Sequence, residues 1–465
     1  MRFARMSALL MSRRVAWLAV ATYVAAGIGP AEASESARRW EKWLVYRTSE
    51  IPDSKAFPRF AWSYFGYANQ NDISRDVGIY AAAGLSDVQV RLRGDLPSKA
   101  KDNGLRLILG TWEASLERPE RFDAIMQYAG KDRSVSMILL KDEPDARWLE
   151  AIGQLHSRMF GELGDHVLAL LTVLPGHAAR PGAAWRFNPS LACSADGSYC
   201  DFLRQILTRA KPSAILPTLY AVYDDGSERA DFYEQLATVR DLTKAYGIGH
   251  FGSVVVTPHL DGWSGKRYRS GNRADVFWQA YSHIAFNAKG LAFYSYRTKP
   301  EELSRGPYVF GEGLVTSIDG DPTPAYEIVK ELNCEIGGLG KKFLTLQAGK
   351  VYGIGMQTGR GLEPGLPASL SVVEGNTLLI SEMRARHSDE TYLLLVNARH
   401  GRGAEAEDIA FKVRFGLRAR RHAVTPQCAS RVEWMKPADG WFRVTVPAGG
   451  AVLLEIVNST RAVHR

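Results

Sequence analysis

Between residues 57 and 343, short runs rich in β-branched and aromatic residues alternate with longer stretches whose apolar positions recur every three or four residues. The first pattern suits a buried strand and the second a helix with one buried face, so the alternation is the rhythm of strand-helix units around a parallel sheet. It predicts eight strands, at 60–67, 87–93, 105–112, 135–140, 167–173, 214–220, 250–257 and 290–296. Helices are expected at 73–83, 119–129, 146–163, 199–210, 230–246, 273–288 and 324–338, with Gly84, Gly104, Gly164 and Gly247 as left-handed caps at helix ends. Eight units in a span of this size fit an α/β fold of the (β/α)₈ TIM barrel type better than an open doubly wound sheet. The open sheet would call for a glycine-rich nucleotide loop after the first strand, and Ala68-Asn69-Gln70-Asn71-Asp72 contains no glycine.

Past residue 342 the helical stretches stop. Short strands are expected at 351–356, 378–383, 392–397, 409–415, 441–446 and 451–457, separated by turns such as Gly401-Arg402-Gly403 and Ala438-Asp439-Gly440. That spacing points to a small antiparallel β-sandwich. A chain of 465 residues exceeds one ordinary core, and the pattern divides it into a barrel at 40–342 and a sandwich at 343–458, with a frayed tail beyond.

The first 33 residues read differently. Arg2, Arg5, Arg13 and Arg14 accompany an apolar stretch at 15–28, and the small-residue site Ala31-Glu32-Ala33 follows. This is the layout of an export signal cleaved after Ala33; the alternative, an uncleaved anchor, fits less well because the stretch is short for a bilayer span. No later segment has a long apolar run, so the remainder is expected to be secreted or periplasmic, without a membrane. In an oxidising space the four cysteines are expected to pair. Cys193 and Cys200 enclose a short polar loop, Cys334 and Cys428 form a second candidate bridge, and three pairings are open. The formal charge of +8 falls to +5 once the four arginines and one glutamate of the signal are removed. Arg418, Arg420 and Arg421 then read as a solvated face, and no nucleic-acid partner is expected.

If the strands form a barrel, chemistry belongs at their C-terminal ends. Trp112 and Glu113 end the third strand and Asp142-Glu143-Pro144 the fourth. Tyr220, Tyr223, Asp224 and Asp225 follow the sixth, His259, Asp261 and Trp263 the seventh, and Tyr294, Tyr296 and Arg297 close the eighth. Carboxylates beside aromatic faces suit a carbohydrate, whose C–H groups pack on rings while its hydroxyls need polar partners. Glycoside hydrolysis needs two carboxyl groups, one of them protonated. Glu143 is the candidate acid, because the neighbouring Asp142 charge would hold a proton on it. Asp142 itself divides between three roles: modulating that acid, acting as a nucleophile, and capping the helix entered at Pro144.

With Asp142-Glu143-Pro144 at the end of the fourth strand and a sandwich appended, the chain resembles secreted barrel glycoside hydrolases with an Asn-Glu-Pro or Asp-Glu-Pro signature there. The resemblance implies that Glu143 is the general acid/base. Retaining members carry a nucleophilic glutamate at the end of the seventh strand, whereas Val254 to Asp261 here contains none. The partner is therefore open among Asp142, Asp225, Asp261 and Glu113, with Asp224 a further candidate for activating water. Lys141-Asp142 also resembles, one residue out of register, the strand end of α-galactosidase-like barrels, which would make Asp142 the nucleophile and Asp224 or Asp225 the acid.

Trp112, Tyr220 and Tyr296 are the expected sugar platforms, with His259 as a wall residue. Arg91, on the same side of its strand as Arg93, would bind a carboxylated sugar if it points inward. Ten histidines without a His-x-His or His-Glu-x-x-His pattern give no zinc site, and no Gly-x-Ser-x-Gly elbow is present. The expectation is a monomeric glycoside hydrolase needing no cofactor, with a carbohydrate-binding protein that has lost catalysis as the alternative.

Overall fold

The computed structural model describes residues 33–63, 73–92, 94–110, 119–176, 198–261, 265–305, 309–357, 361–414 and 416–458. Residues 1–32 of the expected signal at 1–33, together with Arg93, Trp112, Glu113, Cys193, Trp263 and the tail at 459–465, lie outside the described residues. Among those described, no helix is long and apolar enough to cross a membrane.

The first part is built on parallel strands. In chain order they are β1 (Arg59–Ala61), β2 (Asp87–Val90), β3 (Arg106–Gly110), β4 (Val135–Leu139), β5 (Leu168–Val173), β6 (Ala214–Pro217), β7 (Gly249–His250) and β8 (Gly252–Val255). A hairpin, β9 (His259–Leu260) and β10 (Arg267–Tyr268), precedes the last parallel strand, β11 (Leu291–Tyr294). One sheet has the order β2-β3-β4-β5-β6-β7 and a second the order β1-β11-β8. Phe251 alone separates β7 from β8, so the stretch expected as one strand at 250–257 bends and changes partner. Phe251 N–H donates to the Ile215 carbonyl and Gly252 N–H to that of Gly290. At the other seam Ser86 N–H donates to the Arg59 carbonyl, and Arg59 N–H returns a bond to the Ser86 hydroxyl.

Helices connect most of these strands, and β2 to β5 are buried along their whole lengths apart from the ends of β3. Such continuous burial explains their runs of Val, Ile and Leu. Several expected ends move. The sixth strand stops at Pro217 rather than at 220, because Leu219 N–H turns to the Ser253 hydroxyl. The helix expected from 146 begins as a 3₁₀ turn, Ala146–Trp148, and becomes α-helical at Leu149. Gly84, Gly104 and Gly247 adopt positive φ, but Gly164 does not. The helix before it closes on Leu163 in an extended conformation, so this glycine is no left-handed cap.

Two further differences have packing causes. The helix expected to end at 338 runs on as Pro324–Thr345, directly into the next strand, so the boundary placed at 342 falls inside it. Its glycines are places of close approach: a Cβ at Gly337 would lie 2.9 Å from Arg59 Nη1, and one at Gly340 would lie 2.8 Å from Phe57 Cβ. The helix Ala33–Ser49 was not anticipated. It brings Trp40 and Trp43, almost wholly buried, under the N-terminal ends of the sheet, where Trp43 Nε1 donates to the Ser136 carbonyl.

The second part is antiparallel, with β12 (Leu346–Ile354), β13 (Leu370–Glu374), β14 (Leu378–Ala385), β15 (Thr391–Asn397), β16 (Glu407–Val413), β17 (Leu417–Val424), β18 (Ser430–Trp434), β19 (Phe442–Val446) and β20 (Ala451–Asn458). A six-stranded sheet, β12-β14-β15-β20-β17-β18, faces a three-stranded one, β13-β16-β19. Side-chain alternation gives the larger sheet two apolar faces. Leu379, Met383, Leu394 and Leu453 join the core that includes Phe277 and Trp278 of the helix Arg273–Ala285. Ile380, Leu393, Leu395 and Leu454 pack instead with Phe411, Phe442 and Val444 of the smaller sheet.

Strands β13, β17 and β18 were not expected from the pattern, because their exposed or arginine-rich positions hide the alternation. Arg418, Arg420 and Arg421 lie on β17; Arg418 is exposed, while Arg420 pairs with Glu455 and sits over the Trp434 ring. A Cys334–Cys428 disulfide joins the long helix to the turn after β17. Cys193, one half of the other expected bridge, lies outside the described residues.

Candidate active site

The end of β4 carries Lys141, Asp142 and Glu143, and threonines of the next two strands meet them. Thr172 of β5 is fully buried. Its hydroxyl accepts the Glu143 N–H at 2.8 Å and donates to Asp142 Oδ1 at 2.7 Å, so one side chain fixes both acidic residues. Glu143 sits at φ 42°, a left-handed conformation that is uncommon outside glycine and re-aims the side chain relative to a strand continuing straight. Asp142 is not the helix cap. That role belongs to Asp145, whose carboxylate accepts the Arg147 N–H at 2.9 Å.

The Glu143 carboxyl is reachable by water yet densely surrounded by protein. That desolvation, reinforced by the negative charge of Asp142, raises it from 4.5 to about 7, and a hydrogen bond from Thr218 offsets part of the rise. Thr218, just past β6, places its hydroxyl 2.9 Å from Glu143 Oε1 and 3.1 Å from the Val173 carbonyl. A hydroxyl between these two acceptors serves both states. It donates to the carboxylate when Glu143 is ionised, and to Val173 while accepting from Glu143 when the acid is protonated.

Beside these carboxyls stands a group of aromatic rings from the sixth, seventh and eighth strand ends. Tyr220 meets His259 and Tyr268 edge-on at 5.6 and 5.4 Å and lies tilted to Tyr294 at 5.9 Å. Tyr223 stacks on Tyr268 at 5.0 Å. Burial pushes the Tyr220 hydroxyl well above its ordinary range, with further contributions from Tyr294, Glu143, Tyr268 and Asp142, so the ring lies within reach of both carboxyl charges. Burial likewise lowers His259 to about 4, leaving it neutral at physiological pH. Its Nδ1 lies 2.9 Å from the Thr257 carbonyl, which can only accept, so the proton belongs on Nδ1. Asp261, buried at the hairpin, accepts from the Tyr268 hydroxyl at 3.2 Å.

Not every expected residue joins this group. Asp225 is exposed and closes its own turn, accepting from Ser227 N–H and hydroxyl and from Lys266 Nζ; these bonds hold it at about 2. Its carboxylate is occupied as a turn-former, and Asp224 beside it is exposed as well. Tyr296 is buried against Tyr80, and its hydroxyl donates to the Asp76 carbonyl at 2.9 Å. It is a wall residue behind β11 rather than a sugar platform, and Tyr294 takes its place among the rings. Arg91 is exposed one residue beyond the end of β2. Thr172, Thr218 and Tyr268 belong to no motif in the sequence. Only Thr172 carried a signal there, as the single polar residue of the run Leu168–Val173.

Beyond β8 the chain reads Val256, Thr257, Pro258, His259, and the Thr257 hydroxyl is hydrogen-bonded to Ser295. No carboxylate lies between the end of β8 and Asp261. Among the described residues no three His, Cys, Asp or Glu side chains are grouped to hold a metal ion. A cavity of about 720 Å³ lies elsewhere, lined by Arg59, Asn333 and Cys428 among others, and shares no residue with the carboxyls.

No family model matches the chain, and no curated protein matches it. Solved structures do. A family 5 glycoside hydrolase from Bacteroides vulgatus is 11% identical, with 88% of this chain and 90% of that one covered and a TM-score of 0.49. A family 39 glycoside hydrolase from Bacteroides cellulosilyticus is 10% identical over 88% of this chain and 82% of that one, with a TM-score of 0.46. The beta-galactosidase from Marinomonas ef1 is 10% identical over 63% of this chain, with a TM-score of 0.44, and the match spans only 62% of its length. Likeness at this level does not transfer an activity, so function has to be read from the residues of the site.

Proposed function

We propose that this chain is an exported glycoside hydrolase whose general acid is Glu143. The observation that carries the reading is a carboxyl raised to about 7 at a strand end, beside an ionised neighbour and a reversible hydroxyl partner. A general acid works best when its pKa lies near the operating pH. In this reading the parallel strands close into a (β/α)₈ barrel through the bend at Phe251 and the β1–β2 seam, and the antiparallel sheets form an appended β-sandwich. The site then opens at the C-terminal strand ends, where such barrels do their chemistry.

Protonated Glu143 would donate to the glycosidic oxygen as the bond to the anomeric carbon breaks. A water activated by a second carboxylate would attack that carbon, and Glu143 would regain its proton from solvent. Asp225 is engaged in its turn and Asp142 is tied to Thr172 as the charge that tunes Glu143. We assign the base to Asp261, which accepts from Tyr268 of the aromatic group; Glu113 remains a second candidate. The sugar would rest on Tyr220 and Tyr294. Neutral Thr257 and His259 where a retaining nucleophile would stand support inversion. The Cys334–Cys428 bridge suits a secreted or periplasmic location. We propose that the protein works as a monomer on a carbohydrate, without nucleic acid or membrane.

The same missing nucleophile favours one alternative, a carbohydrate-binding protein without catalysis. Incubating wild type and Glu143→Gln with a panel of envelope and extracellular polysaccharides separates the two. The hydrolase reading expects products of inverted anomeric configuration from wild type and next to none from the variant. Binding without product from either protein would sink it, and retained configuration would displace Asp261 as the base.

A further inference from the structure

Where the two parts of the chain meet, His400, in the turn that follows β15, reaches the first part with its whole ring. It stacks on Trp278 with centroids 3.9 Å apart and planes 16° from parallel. Nε2 lies 2.9 Å from Glu228 Oε1 and Nδ1 lies 3.2 Å from Asp275 Oδ1. Gly401 N–H adds a bond of 2.9 Å to the same Asp275 oxygen. An imidazole whose two nitrogens both face carboxylates donates from both only when it is a cation.

These two carboxylates belong to segments that shape the aromatic group. Asp275 closes the capping box of the helix Arg273–Ala285 and pairs with Arg269, immediately after β10. Arg269 Nη1 in turn donates to the Tyr223 carbonyl at 3.3 Å. Glu228 sits in the loop after β6, bridged to Val222 next to Tyr223. Tyr223 stacks on Tyr268, and Tyr268 meets Tyr220 edge-on.

We propose that His400 is a positioning residue lent by the C-terminal part, whose cation braces the 222–228 loop and the β9–β10 hairpin so that Tyr220, Tyr223 and Tyr268 hold their arrangement beside Glu143. That the braced rings are a sugar site rests on the function proposed above; the bracing itself does not. Burial alone would discharge His400, but its bonds to Asp275 and Glu228 outweigh it and hold the imidazole above its ordinary range. The other charged or titratable groups in the cluster are Arg269, already paired with Asp275, and Tyr233, whose hydroxyl accepts from Trp278 Nε1. Arg399 in the same turn points to Glu407. A folded-state value above the unfolded one means the brace is complete at acid pH and is lost as pH rises through the folded value.

The test uses the full chain and needs no substrate. Hydrogen exchange is measured against pH for wild type and His400→Gln, alongside tryptophan fluorescence, which an imidazolium stacked on Trp278 quenches. The brace predicts about tenfold faster exchange in the variant at 222–228 and 265–269 below neutrality, where two charge-assisted bonds are lost, and convergence at alkaline pH. Wild-type fluorescence should rise with pH in a transition that His400→Gln lacks, and Glu228→Gln should move that transition to lower pH. Unchanged exchange in both segments would overturn the proposal, as would a transition that persists in His400→Gln. Faster exchange spread equally over β2 to β4 would also overturn it, since His400 would then be a general fold contact. Should the protein neither bind nor cleave carbohydrate, the reading of Glu143 fails while the exchange result still decides the role of His400.

Discussion

Thr218 Oγ1 lies 2.9 Å from Glu143 Oε1 and 3.1 Å from the Val173 carbonyl, so a single threonine hydroxyl favours the ionised acid without forbidding the protonated one. Asp142 acts in the opposite sense, its charge favouring the protonated form. The two neighbours therefore give variants of opposite sign. Asp142→Asn should lower the pKa of Glu143 and move the alkaline limb of the kcat/KM profile to lower pH, while Thr218→Val should move it to higher pH. Glu143→Gln should cost about 10²- to 10⁴-fold in rate, the usual worth of a general acid. Limbs that stay fixed in both neighbour variants would show that another group titrates.

Raising an acid's pKa also weakens the fold where that acid ionises. Glu143 goes from 4.5 in an unfolded chain to about 7 in the folded one, so between these values the folded state binds more protons. Stability then falls as pH rises through that window. Glu143→Gln removes the term. The variant should melt with wild type near pH 4 and above it at pH 8, and thermal unfolding at the two pH values checks this. Equal melting at pH 8 would mean that water at the site carries the charge at no cost to the fold.

What the sequence discloses and what it hides follow from period and distance. β4 and β5 are buried on both faces, so their apolar runs stand out, and the carboxyls at the end of β4 stand out with them. Nothing local distinguishes Tyr294 from Tyr296. Both are tyrosines of one strand end, and only the contact of Tyr296 with Asp76, 220 residues away in the chain, sends it behind the sheet. Asp225 looked like a catalytic carboxylate because Ser227 and Lys266, which occupy it, carry no motif. The helix Ala33–Ser49 was hidden by its place beside the signal, and β18 by exposure of nearly every residue, as an edge strand allows.

That first helix contributes a buried ion pair. Arg47 Nη1 and Nη2 meet Asp87 Oδ1 and Oδ2 at 3.0 and 3.1 Å, both side chains are fully buried, and the Ser86 and Ser136 hydroxyls donate to the same carboxylate. Burial would raise Asp87, but Arg47 outweighs it and holds the carboxyl below its ordinary 3.8. The contribution is present above that value and is lost as pH falls through the folded one. Asp87→Asn leaves a buried guanidinium without its counter-ion and should destabilise by about 3 to 5 kcal/mol in denaturant unfolding. The double variant Arg47→Met, Asp87→Leu should lose less, because the Arg47 guanidinium is no longer stranded, although buried Arg59 still loses the Asp87 charge; equal losses would make packing, not the Arg47 charge, the cause.

The Cys334–Cys428 bridge closes a span of 94 residues and ties the helix Pro324–Thr345 to the turn after β17. In the chain-entropy account a loop of this length is worth about 4 to 5 kcal/mol, taken from the unfolded state. Cys428 also holds φ 62°, which a residue with a Cβ adopts at a cost that glycine does not bear. Two variants then separate the cross-link from the backbone. Cys334→Ser with Cys428→Ser should lose the entropy term and keep the strained turn. Cys334→Ser with Cys428→Gly should lose the same term but regain about 1 kcal/mol by relieving the turn. Denaturant midpoints of the two pairs, compared with wild type under oxidising and reducing conditions, check the order. If the glycine pair is the less stable, unfolded-chain freedom at residue 428 outweighs the relief of its left-handed backbone.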